Sequence, residues 1–272
     1  MIRRAFLIVL ALLLVPSAAL AVTQTASSGP VTASLSYSVK NDKFDLPVYS
    51  GLRLTIVRNG TTAYSAPVSD PFCGTQCAPA IPGTKDSSVQ VADIGNTGEP
   101  NVILSLYSGG AHCCTIAQVF SYDPTTGTYT MARRNFADPA FNLKRLTPGG
   151  PDRFVSANPS FEYAFTSYAQ SGEPLQIWGF QNGQFTDVTR SYPALIRKNA
   201  ALWWRLFRHN LSDGTGPLSA WAADEELLGK NALVQSTLKA QLKAGHLVGG
   251  FINGAKYVRT LNRLLVKLGY EK

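Results

Sequence analysis

The chain has 272 residues, 45% of them hydrophobic and 15% charged, with 25 Lys/Arg against 17 Asp/Glu for a formal net charge of +8. That balance excludes a disordered polyelectrolyte and suits one large domain, or a domain with a smaller appendix. The charge is uneven: residues 22–190 carry 11 Lys/Arg against 12 Asp/Glu, whereas residues 191–272 carry 12 against 5, so a near-neutral body precedes a basic tail.

Residues 1–21 read as an export signal. Arg3 and Arg4 give a positive start, Ala5 to Val15 an apolar run, and Ala19-Leu20-Ala21 a small-x-small cleavage site. The run is about 11 residues, short of the ~20 that cross a bilayer as a helix. Arg3-Arg4-Ala5-Phe6-Leu7 partly matches a twin-arginine pattern, but the short start and leucine-rich core fit ordinary unfolded export better. The expected destination is periplasmic or extracellular, where disulfides persist.

Thr23 to Pro30 is small and polar and is expected to be a disordered start. Val31 to Val39 alternates apolar with small polar residues, the pattern of a half-buried strand. Three hairpins follow. Leu52 to Val57 turns at Asn59-Gly60 into Ala63-Tyr64. Ala117 to Tyr122 turns through Pro124 and Gly127 into Tyr129 to Met131. Leu175 to Phe180 turns at Asn182-Gly183 into Phe185 to Val188. Asn-Gly between alternating strands is a strong hairpin signal, because both turn positions need φ > 0. The turn glycines Gly60, Gly127 and Gly183 are 67 and 56 residues apart. Further strands are expected at Ser88 to Ala92, Val102 to Tyr107, Arg153 to Ala157 and Glu162 to Thr166. Four short strands per unit is the pattern of a propeller blade, and three blades cannot close a ring.

The tail reads as four amphipathic helices: Pro193 to Leu211, Leu218 to Leu228, Ala232 to Leu242 and Phe251 to Leu268. Breaks are expected at Gly214 to Pro217, Gly245 and Gly249-Gly250. Trp203 and Trp204 lie among Arg197, Lys198, Arg205 and Arg208, where they could stack on bases or rest at a membrane interface. Helical spacing makes at least one of them a core anchor.

Cys73-x-x-x-Cys77 and the adjacent pair in Gly109-Gly110-Ala111-His112-Cys113-Cys114 are the main chemical candidates. Two disulfides rank first. Four cysteines allow three connectivities, and cross-loop pairing is preferred because a bond between sequence neighbours is strained. A second possibility is copper or zinc held by the thiolates with His112. A third is thiol exchange at a reactive bridge. No Gly-x-Ser-x-Gly elbow, His-Glu-x-x-His helix or phosphate-binding glycine loop is present. Glu162 and Glu173 could form a hydrolytic carboxylate pair, though nothing local separates them from surface acids. His209 and His246 read as structural. Phe161, Tyr163, Phe165, Tyr168 and Trp178 could line a ligand groove, but alternation puts most of them on one sheet face, which favours packing.

The stretch Val91-Ala92-Asp93-Ile94-Gly95-Asn96-Thr97-Gly98-Glu99-Pro100-Asn101-Val102-Ile103-Leu104 sets an Asp-led, glycine-containing loop between apolar strands. Leu143 to Val155, with Gly149-Gly150 and Pro151, reads as an eroded second copy, and Tyr122 to Gly127 as the matching hairpin turn. Together these resemble FG-GAP/VCBS-type repeats of secreted bacterial proteins, which are built like blades of the integrin α propeller. The resemblance covers roughly residues 87–192 and leaves the tail outside. It implies blade-like sheets and a calcium loop. Gly95, Thr97 and Asn101 stand where further acids are expected, and Arg145 replaces the first acid of the second copy. One carboxylate exerts little pull on Ca²⁺. Asp93 and Asn101 are therefore weak calcium candidates, and no cofactor is favoured.

The expected fold is mainly β with a C-terminal α-helical segment, arranged as a partial, about three-bladed propeller or as stacked antiparallel sheets. The expected division is 1–21 signal peptide, 22–190 β-repeat domain and 191–272 basic helical domain. The expected function is an exported, non-enzymatic binding or scaffolding protein of the bacterial envelope, stabilised by disulfides. Its partner would be an envelope protein or an anionic surface rather than nucleic acid. The alternative is an envelope metal-binding or thiol-redox factor using Cys73, Cys77, His112, Cys113 and Cys114.

Overall fold

The computed structural model of the protein describes residues 20–74, 77–79, 87–109 and 112–271. The proposed export signal lies outside them, apart from Leu20 and Ala21 at the start of the first strand.

Three antiparallel sheets follow one another along the chain. The first is the meander β1 (Leu20–Ser28), β2 (Val31–Asn41), β3 (Pro47–Arg58) and β4 (Thr61–Pro67). The second runs through β7 (Asn101–Tyr107), β8 (Thr115–Asp123) and β9 (Thr128–Asn135). The short β5 (Ala78–Pro79) and β6 (Val89–Ala92) both pair with β7, at opposite ends of it. The third is the meander β10 (Asn142–Arg145), β11 (Asp152–Ala157), β12 (Leu175–Gln181) and β13 (Gln184–Asp187). All three hairpins turn where their sequences indicate. Asn59 and Gly60, like Asn182 and Gly183, have positive φ, which right-twisted strands require of a two-residue turn.

The sheets stack with the second in the middle. Its strands are apolar on both faces: β7 is buried from Val102 to Leu106 and β8 from Thr115 to Phe120. Val102, Leu104, Leu106, Ile116 and Phe120 pack on Val31, Ala33, Leu35, Leu54 and Ile56 of the first sheet. Ile103, Ala117 and Val119 face the opposite way, onto Phe136, Phe141, Phe154 and Phe180. Period-two alternation in β7 and β8 thus serves two cores.

Four helices complete the chain: α1 (Pro193–His209), α2 (Thr215–Leu227), α3 (Asn231–Lys243) and α4 (Gly254–Lys267). Proline begins α1, where its missing N–H is not needed. Helix α2 is central and buried on nearly every side. Its N-terminus presses on the loop before β12: a Cβ on Gly216 would meet the Gln170 carbonyl, and one on Gly172 would meet Gly216. Helices α1, α2, α3 and α4 bury Phe207, Trp221, Leu238 and Tyr257 in a core that also takes Phe161 and Phe165 from that loop.

Two expectations are corrected. Thr23 to Pro30 is not a disordered start, because β1 pairs with β2 from Leu20 to Ser28. Cross-strand hydroxyl pairs replace apolar alternation there: Thr25 faces Ser34 at 3.2 Å and Ser27 faces Thr32 at 2.9 Å. Gln24 ties this edge to the second sheet, its Oε1 accepting from Ser87 Oγ at 2.8 Å and the Ser88 amide at 2.7 Å. Glu162 to Thr166 is not a strand. Two single-turn 3-10 segments, Pro159–Phe161 and Tyr168–Gln170, bracket it, and Tyr163 takes φ 54°. Alternating aromatics there serve a folded loop: Phe161 and Phe165 point into the helical core while Tyr163 is exposed.

Candidate functional site

Cys73 and Cys77 form a disulfide within one turn. Asp70 builds that turn, with its Oδ1 accepting from the Phe72 amide and its carbonyl from the Cys73 and Gly74 amides. The Cα atoms of Cys73 and Cys77 are 4.9 Å apart, within the range a disulfide spans. Buried Gln118 of β8 holds the turn in place, donating to the Ser69 carbonyl at 2.8 Å and to Asp70 Oδ2 at 3.2 Å. The other pairing is also local, Cys113 with Cys114. With Cys73 joined to Cys77 inside one turn, neither is left to bridge to the Cys113-Cys114 loop, and the preferred cross-loop connectivity is corrected. Part of the second motif, Gly110 and Ala111, lies outside the described residues.

His112 packs its ring among tyrosines. Its ring lies 3.8 Å from that of Tyr168 and 6.3 Å from that of Tyr163. On this side Glu162 and Glu173 lie near enough to shift each other's ionisation. Burial and then the Glu162 charge push the Glu173 carboxyl up to about 7, while burial raises Glu162 as well. Neighbouring carboxyl groups of like charge make the second ionisation harder. Asp138 adds to the repulsion, and His112 eases it at Glu162. A 3-10 turn and a loop bring together the Glu162 and Glu173 that the sequence raised as a pair, whereas nothing in the spacing linked Asp138 or His112 to them.

The Asp93 loop is closed on itself. The Asp93 carboxylate accepts from the amides of Thr97 at 2.9 Å and Gly98 at 2.6 Å, using one oxygen for each. Asn101 donates to Ser121 Oγ at 3.0 Å. Arg58 binds Glu99 through both guanidinium nitrogens, at 2.5 and 2.9 Å, fastening the loop to the first sheet. Both proposed calcium ligands therefore have partners within the protein. Among the described residues no three His, Cys, Asp or Glu side chains converge as a metal-ligand set.

The helices separate charge by depth. Asp224, Glu225 and Glu226, consecutive on α2, are 0%, 8% and 3% exposed. The Asp224 carboxylate accepts from the Leu175 amide at 3.2 Å and from Asn199 at 2.8 Å, and burial pushes its carboxyl up to about 8. Glu225 pairs with Lys230 at 2.8 Å, and Glu226 accepts from Asn231 at 3.1 Å. Three acids at a helix C-terminus oppose the helix dipole. Arg190 offsets this by donating to the carbonyls of Leu227 at 2.9 Å, Gly269 at 3.1 Å and Tyr270 at 2.7 Å, so one guanidinium caps the ends of α2 and α4. Helices α1, α3 and α4 contain no acidic residue. Their Lys and Arg side chains cover the outside.

Trp204 is a packing residue, with its ring 4.9 Å from Trp221 and 5.4 Å from Phe207. His246 bonds Gln241 at 2.8 Å. His209, expected to be structural, is exposed in the last turn of α1.

These features describe a mainly β protein with stacked antiparallel sheets, C-terminal helices and a short-range disulfide. No helix is long and apolar enough to cross a membrane. Over 152 residues the chain is 32% identical to a probable thylakoid lumen protein of Synechocystis sp., a match covering 52% of this chain and 44% of that protein. Over 142 residues it is 25% identical to an uncharacterized protein of Sinorhizobium fredii, covering 49% and 22% respectively. The chain thus spans less than half the length of either relative. No family model and no solved structure matches it.

Proposed function

We propose that this is an exported, non-enzymatic binding or scaffolding protein of the bacterial envelope. In this reading the three sheets are FG-GAP-like, propeller-type blades and the helical layer is the docking element. The observation that carries it is the segregation of charge in that layer, with three of the five acids of residues 191–272 buried in α2. The outer surface is consequently more cationic than the tail's composition alone implies, which favours an anionic partner. Export is supported by the signal-like residues 1–21 and by the similarity to a lumenal protein. Disulfide formation at Cys73–Cys77 accords with a compartment outside the reducing cytosol.

Cell fractionation at two ionic strengths tests this. The protein should sediment with envelope material near 0.05 M salt and be released near 1 M, where the screening length falls to about 3 Å. Recovery in the cytosol would end the proposal, and so would envelope association indifferent to salt.

A further inference from the structure

Between the third sheet and α1 lies a cleft of about 580 Å³, within the size range of small-molecule sites. Its floor is apolar, from Leu146, Val155 and Leu202, and its rim carries Lys144, Lys198 and Arg205. All three cations are exposed, and none has an ion-pair partner among the described residues. The neighbouring Arg145 is different, since Asp152 pairs with it at 3.2 Å.

Beneath the cleft, Leu175 and Asn199 in its wall both bond Asp224. That carboxyl is held largely neutral at pH 7 by burial, so it does not cancel the rim. Leu202 and Leu206 remain 38% and 41% exposed beside it on α1. The arrangement is apolar surface left open within a ring of uncompensated cations.

We propose that this cleft docks an anionic phospholipid of a bilayer surface. Phosphate would lie at Lys144, Lys198 and Arg205, with the upper acyl region against Leu146, Val155 and Leu202. A bilayer matches both halves of the site, because it supplies negative charge and hydrocarbon a few ångströms apart. A free anion would satisfy the rim alone and leave the leucines in water. The remaining bases of α1, α3 and α4 supply longer-range attraction to the same surface. The inference rests on the docking role of the helical layer and specifies what that layer docks to.

The test is flotation of the full mature chain with vesicles of phosphatidylcholine alone or mixed with phosphatidylglycerol. Binding should require the anionic lipid. Lys198→Glu with Arg205→Glu should weaken it by at least roughly thirtyfold, at about fivefold or more per base removed from the surface. Leu202→Ser should weaken it without any change of charge. Lys239→Glu with Lys243→Glu, an equal charge reversal on α3, should cost markedly less. Equal losses from the two charge reversals would overturn the cleft, leaving only a general surface-charge effect. Failure to float with either vesicle would overturn the lipid assignment, as would displacement from vesicles by inorganic phosphate alone or by poly-glutamate at matched charge. Salt-sensitive envelope association without vesicle binding would likewise overturn it, while leaving the docking reading of the helical layer intact.

Discussion

At the residue scale, the informative side chains are carboxyls placed where water cannot reach them easily. Asp224 is raised to about 8 and Glu173 to about 7, in each case chiefly by burial. Both lie above their unfolded values, so their contribution to stability is full below about pH 4 and is lost as pH rises through 7 and 8. The melting temperature should therefore fall between pH 5 and pH 9. In Asp224→Asn, which carries no charge at either pH, that fall should be smaller. Equal falls in the two proteins would refute the assigned environment. The Cys73–Cys77 bond gives a second check. It closes a turn of only a few residues, so Cys73→Ser with Cys77→Ser should cost about 2 kcal/mol in urea unfolding, against the roughly 4 kcal/mol of a cross-loop bridge spanning about 40 residues. A measured loss near the larger value would contradict local pairing.

At the element scale, the hairpins and helices were legible because their signals are local. Asn59-Gly60 and Asn182-Gly183 specify backbone angles directly, and Ile196, Ala200 and Phe207 recur at helical spacing along α1. Two segments misled for the same reason in reverse. β1 lacks an apolar period because it is an edge strand held by main-chain bonds and hydroxyl pairs. Phe161 to Phe165 has a strand-like period, yet its apolar members are drawn into the helical core across a 3-10 turn. Close approach of that loop to α2 is testable. Gly216→Ala would put a methyl group into the Gln170 carbonyl, and the protein should lose roughly 1–3 kcal/mol. An unchanged unfolding midpoint would show that the loop and α2 are not tightly packed.

For the whole molecule, the helical layer shares its core with the loop before β12, since Phe161 and Phe165 pack among Phe207, Trp221 and Tyr257. Removing residues 191–272 would uncover both phenylalanines and the Leu175 amide that Asp224 now accepts from. The truncated chain should aggregate or be digested rapidly by protease. A soluble, cooperatively unfolding product would show instead that the sheets are self-sufficient. The middle sheet makes a related point about legibility. Its strands at Val102 to Tyr107 and Ala117 to Tyr122 were legible, but which neighbour covers which face depends on residues far apart in sequence, such as Ile56 and Val102 in one core and Phe154 and Val119 in the other.

The sequence by itself determined most of the elements, the three hairpin turns, the excess of bases in the tail and the short list of reactive side chains. Each of these depends on backbone preferences or counts within a few residues. Only the tertiary structure decided that Cys73 meets Cys77, that Glu162 meets Glu173 beside His112, and that Asp93 closes on its own loop. It also decided that the acids of α2 turn inward and leave the cations of α1 open beside an apolar cleft. Those outcomes follow from burial and long-range packing, which assign a charged residue its partner and its depth without leaving a periodic trace in the chain.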